Sequence, residues 1–152
     1  MDAPHILTSP MQAVAAHGHS VVSDHESPVV VGYSGGAAII GPSDGIVHLT
    51  IPTPTNLVDG SSLVDTKLDI EAISGASVAY VAIFFGRDEV FKQDNPPLGD
   101  PIPIFPSKPY GHGTSLGATL KVHVPPTEPH PPPELRITGV SLTFSVFAPS
   151  KQ

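Results

Sequence analysis

Glycine and proline punctuate this chain too densely for a long helix to form. There are 14 Gly and 19 Pro among 152 residues, and few windows of a dozen escape one. Proline removes a backbone donor and clashes with the turn before it, while glycine costs a helix interior about 1 kcal/mol. The stretches between these breaks are short, apolar and rich in β-branched residues, which is the pattern of strands. The expectation is an all-β chain.

Met11–His17 reads as a first strand, followed by residues 29–33 and Ala37–Ile40. Gly41-Pro42-Ser43-Asp44-Gly45 is a turn cluster, and residues 46–51 form a strand stopped by Pro52 and Pro54. In residues 63–73, Leu68, Ile70 and Ala72 alternate with Lys67, Asp69 and Glu71, which predicts a strand with one wet face. Ser77–Phe85 is apolar on both faces and reads as a central strand buried front and back. Gly86-Arg87-Asp88 turns it into a short partner at 89–91. Residues 93–110 hold six prolines and read as a long loop, 115–124 as a strand, and 125–133 as a stiff proline connector. Val140, Leu142, Phe144 and Val146 form the inward face of a last strand. Eight or nine such strands predict a single-domain antiparallel β-sandwich, jelly-roll-like, over 11–148, with a flexible start at 1–10. Its Pro-rich loops are 93–114 and 125–133.

The apolar run ending in Gly32-Tyr33-Ser34-Gly35-Gly36 matches the G-x-S-x-G of a nucleophile elbow. That motif needs a helix directly after the serine, and Gly41-Pro42 would break one within two turns. Position 34 also leaves no room for the preceding strands and helices of such a hydrolase. The glycines are better read as a kink or bulge between two strands.

Seven basic residues face fourteen acidic ones, for a net charge of −7, without any cluster of Lys or Arg. That disfavours nucleic acid and anionic membranes as partners. No apolar stretch approaches the ~18 residues of a membrane span. Cysteine is absent, which removes thiol chemistry and disulfides and fits a reducing compartment. Pro4 and Pro10 interrupt a start that carries no basic n-region, so it makes a poor signal peptide. A cytoplasmic protein is expected, with secretion left open. Charged residues make up only 14%, which leaves a surface open to self-association, so a homo-oligomer is an expectation.

Eight histidines are the compositional excess. His17-Gly18-His19 with Asp24 comes near the metal-binding spacing of cupins, but the later cupin signature is missing. No metal or other cofactor is expected, and His17, His19 and Asp24 are the candidates if one binds. His48 stands in an otherwise apolar strand, where an imidazole is either a structural residue or an acid–base group facing a pocket. His48 and His17 are therefore the candidate catalytic residues. Tyr110, His112 and Phe105, at the end of the long loop, are the candidate ligand contacts. His130 sits among prolines and reads as solvated.

"AAHGHSV", "VHLTIPTP" and "GASVAYVAIFFGRDEVF" resemble a family of small, uncharacterised all-β proteins, over roughly residues 11 to 92, with a looser match in "GVSLTFSVF". The resemblance implies a compact β-sandwich and raises His17 and His48 above the other histidines. It supplies no activity. Ile46 stands where the family pattern has Trp, and the chain has no Trp at all.

Four functions compete, the last of them metal-dependent chemistry. The first is a sandwich that binds a small organic ligand in a His-lined pocket under the Pro-rich loop. The second is a cofactor-free isomerase, cyclase or lyase using His48 or His17. The third is a structural or assembly protein. Convergence of His17, His48 and His112 on one cavity would favour the first two.

Overall fold

The computed structural model describes residues 11–53, 57, 59–105, 108–126 and 131–145. The start at 1–10, His130 and Val146 lie outside the described residues. The described chain forms eleven strands and one 3-10 turn, Gly18–Ser20, with no α-helix. The strands are β1 (Met11–His17), β2 (Val22–Ser23), β3 (Val31–Ser34), β4 (Ala37–Ile40), β5 (Ser43–Ile51) and β6 (Ser62–Ile73). There follow β7 (Ser77–Phe85), β8 (Asp88–Asp94), β9 (Pro101–Pro103), β10 (Leu116–Val124) and β11 (Glu134–Ser145).

Two antiparallel sheets pack together as a β-sandwich. One runs β3-β4-β11-β6-β9, and β1 joins it by pairing with β11. The other runs β2-β5-β10-β7-β8. Strand β11 changes partner along one edge: Leu135–Ile137 pair with β4 and Gly139–Ser145 pair with β1. The 3-10 turn after β1 fills that junction and carries the chain across to β2 in the other sheet.

Alternation builds the interior. Val47, Leu49 and Ile51 of β5 point inward, as do Leu116, Ala118, Leu120, Val122 and Val124 of β10. Leu135, Ile137, Val140, Leu142 and Phe144 face them from β11. The step from Ile137 to Val140 breaks the two-residue period because Thr138 is an extra residue: Ile137 pairs with Ile70, and Gly139 with Asp69. Each fully buried aliphatic or aromatic side chain contributes about 1.5–3 kcal/mol. Exposed ion pairs such as Lys108–Asp88 contribute about 0–1 kcal/mol. The interior holds the sheets together.

Several sequence expectations need correction. Ser77–Phe85 is central, between β10 and β8, but its outer face is only half covered. Ala79 is bulged, so Val78, Val81, Ile83 and Phe85 face the core, and half-buried Tyr80 lies under the Lys92 ammonium, 4.3 Å from the ring centroid. The cluster at 41–45 is not all turn, because β5 already begins at Ser43. Gly45 is buried there and lies so close to the backbone of Ser27 and Pro28 that a Cβ would not fit. The loop expected at 93–110 crosses between sheets and contributes β9, with Ile102 opposite Thr66. Pro101 and Pro103 suit this edge strand, since proline cannot donate to a further neighbour. Ser34 ends β3 and pairs with Ala37 across Gly35 and Gly36, at φ 58° and 86°. Two positive φ values close a tight hairpin, not a kink or bulge, and a strand follows where the elbow needs a helix.

Candidate functional site

The three histidines do not converge. Val47 and Leu49 face the core, so His48 between them emerges on the outer face of the five-stranded sheet. Ala16 faces the core, so His17 emerges on the outer face of the six-stranded sheet. His112 is exposed in the turn before β10, where its backbone N–H donates to Asp59 Oδ1 at 2.8 Å. The sandwich interior separates the first two.

The expected ligand contacts are also dispersed. Tyr110 is 2% exposed, its ring against Phe85 and Phe144 and its hydroxyl donating to the Thr114 carbonyl at 2.8 Å. It is a core residue, not a pocket wall. Phe105 is 95% exposed. In the described part of the Pro-rich segment, Ile102, Ile104 and Tyr110 are buried in the core.

The candidate metal trio is divided in the same way. His17 Nδ1 accepts from the backbone N–H of His19, and the two rings meet edge to face at 4.6 Å. Asp24 is engaged elsewhere, with His48. Among the described residues no three His, Cys, Asp or Glu side chains come together as a metal site.

His48 instead centres a chain of hydrogen bonds. Antiparallel register places it opposite Thr119 of β10 and opposite Val22 of β2. Its Nδ1 lies 2.9 Å from Thr119 Oγ1 and its Nε2 2.5 Å from Asp24 Oδ1. The other Asp24 oxygen accepts from the backbone N–H groups of Glu26 and Ser27, each at 2.9 Å. These bonds, that from His48 foremost, hold the Asp24 carboxyl below the usual carboxylate range. An ionised Asp24 only accepts, so Nε2 carries the proton toward it. In the neutral imidazole Nδ1 is then left to accept from the Thr119 hydroxyl.

A pH dependence follows from Asp24. Its folded-state pKa is depressed, so its contribution to stability is present above the unfolded-state pKa and is lost as pH falls through the folded-state value. Urea unfolding of Asp24→Asn beside the wild type should give curves that differ at neutral pH and approach each other in acid. A gap independent of pH would mean that the charge does not matter.

The second candidate lies on the opposite outer face. Cross-strand register sets His17, Gly139 and Asp69 in one row, and Ala15, Ser141 and Lys67 in the next. Gly139 has no side chain, and a Cβ there would stand only 2.7 Å from the Ala16 carbonyl oxygen. The close packing of β1 on β11 therefore keeps the middle of the row empty. The result is a hollow of about 350 Å3, with His17, Lys67, Asp69, Thr138 and Ser141 around the bare glycine.

Lys67 and Asp69 were visible in the sequence only as the wet side of a strand, and nothing local marked Thr119 or Ser141. Comparison with protein-family models and with curated proteins finds no match to this chain.

Proposed function

We propose that this β-sandwich binds a small organic ligand in the hollow above Gly139. The observation that carries the reading is the convergence of an imidazole, an ammonium, a carboxylate and two hydroxyls on one bare stretch of sheet. Its volume of about 350 Å3 is at the lower end of the range for ligand sites, which run from about 300 to 1,000 Å3. Ala15 gives it an aliphatic component. A compact molecule bearing a carboxylate or hydroxyl groups beside a short apolar body fits these walls. Lys67 would pair with an anionic group, and Asp69 and His17 would hydrogen-bond to hydroxyls.

The test is an amide chemical-shift titration with a panel of small carboxylates and polyols. Shifts should concentrate at His17, Lys67, Asp69, Gly139 and Ser141. Ser141→Phe, which fills the hollow from a half-buried outer-face position, should weaken binding at least tenfold while keeping the strand-type dichroism spectrum. Binding unchanged in that variant, or no shifts at these amides up to millimolar ligand, would refute the reading.

A further inference from the structure

A different site lies on the other sheet, and it rests on His48. We infer that Thr119 is an activated hydroxyl that accepts an acyl group from an activated ester, with His48 as its general base and Asp24 as the residue that positions His48. The constellation has the parts this chemistry requires: a hydroxyl within hydrogen-bond reach of an imidazole, and a third group fixing that imidazole. Thr119 Oγ1 stands 2.9 Å from His48 Nδ1, and Asp24 Oδ1 stands 2.5 Å from Nε2. Asp24 is itself fixed by the Glu26 and Ser27 amides, so the imidazole is held at both ends.

The surroundings give a substrate room. On the outer face Thr119 has Ala82 as its other cross-strand neighbour and Gly117 two places before it in β10. Gly117 places no side chain beside the hydroxyl, Ala82 is covered by its neighbours at 2% exposure, and Phe84, paired with Gly117, bounds the spot with an aromatic ring. Lys121 lies two places beyond Thr119 on the same face and is exposed. Its long side chain would supply the cation for an oxyanion formed at the attacked carbonyl. The substrate class is a small acyl ester with a good leaving group, its acyl part short enough to lie over Gly117.

The step balances without a cofactor. A bond forms from Thr119 Oγ to the acyl carbon as the hydroxyl proton passes to His48 Nδ1. The ester C–O bond then breaks, and the departing phenol or alcohol takes the proton from Nδ1. For turnover, water repeats the sequence, giving its proton to Nδ1 and releasing Thr119 and the carboxylic acid. An imidazolium has no electron pair at Nδ1, so acylation falls in acid. The neighbouring His123–Asp44 pair on the same face supplies an internal control, since it is a His–Asp pair that does not touch Thr119.

The experiment incubates the full chain with p-nitrophenyl acetate, follows phenolate release, and maps stable acetylation by peptide mass spectrometry. Acetyl-imidazoles hydrolyse quickly, so the durable ester on a hydroxyl is the informative adduct. One acetyl group should map to Thr119, persist at that position in Thr119→Ser, and vanish in Thr119→Val. His48→Gln should slow labelling of Thr119 by about 100-fold or more, the usual scale for losing a general base. Asp24→Asn should slow it and shift its pH profile, which a merely structural role would not do, and His123→Gln should leave it unchanged. Acetylation confined to lysines, or Thr119 labelling that is indifferent to His48→Gln in a variant with wild-type dichroism, would overturn the proposal. Because Ser141 and Gly139 lie on the other sheet, the outcome is independent of ligand binding there.

Discussion

Gly18→Ala is expected to abolish cooperative folding, or to cost at least about 3 kcal/mol, the upper end of what overpacking does to a well-packed interior. The turn containing Gly18 sits where β11 exchanges β1 for β4. A Cβ at this position would meet the Ile137 carbonyl closer than side chains ever approach backbone, and would stand 3.0 Å from the Ala38 amide nitrogen and 3.1 Å from the Gly36 carbonyl oxygen. All three are main-chain atoms, two in strands and one in the β3–β4 hairpin turn, and none can rotate away as a side-chain tip can. The only relief is to separate β1 from β11 or β4 from β11, and either exposes buried residues such as Ala38 and Ile137. Against a typical domain stability of about 5–15 kcal/mol, the loss should be plain in urea melts. Gly32→Ala is the control. Nothing lies within 4 Å of its would-be Cβ, so it should stay within about 0.5 kcal/mol of the wild type. Equal, small effects at the two glycines would show that the three-strand junction is looser than described. The His17-Gly18 pair thus has a structural reason in its second member.

Tyr110→Ala should be nearly as damaging, at about 3–5 kcal/mol. Its ring centroid lies 5.7 Å from that of Phe85 and 6.0 Å from that of Phe144, and the rings of Phe85 and Phe144 also meet, so three aromatics from separate segments form one cluster. Its backbone is tied as well, donating to the Ser61 carbonyl and accepting from Gly60 N–H. Tyr110→Phe should cost about 1 kcal/mol through the lost bond to Thr114. Phe105→Ala, five residues earlier, should change stability by less than about 0.5 kcal/mol, since that ring is out in solvent. Thermal and urea unfolding of the three variants side by side would decide it. A Tyr110→Ala protein as stable as wild type would return Tyr110 to the list of surface contacts.

Strands were legible in this chain because their limits are chemical: a β-branched run ends where Gly, Pro or Asp must stand. Met11–His17, Ala37–Ile40 and Ser77–Phe85 were readable on that basis to the residue. Strand β9 was not, because proline usually signals its opposite. The clue was the alternation Pro101-Ile102-Pro103-Ile104, in which both isoleucines are buried. Bulges are harder still. The extra residues at Ala79 and Thr138 change which side chains face the core, and no local pattern announces them. The candidate sites were legible only in fragments. His48 stood out as a polar residue in an apolar strand. Its partners Asp24 and Thr119 lie 24 and 71 residues away, joined to it only by the pairing of strands. The separation of His17 from His48 depends on which sheet each strand joins, and one-dimensional spacing does not contain that.

The order of the strands has a consequence for how the protein is made. Strand β10 lies between β5 and β7, and β11 lies between β6 and the pair β4 and β1, so each sheet has its spine among the last two strands of the described chain. During synthesis neither half can zip up until more than a hundred residues have left the ribosome, and until then the earlier strands have no central neighbour. Such late, long-range closure makes for slow folding and a long exposure of sticky intermediates. A nascent chain stalled before Leu116 would be a client for chaperones rather than a half-built sandwich.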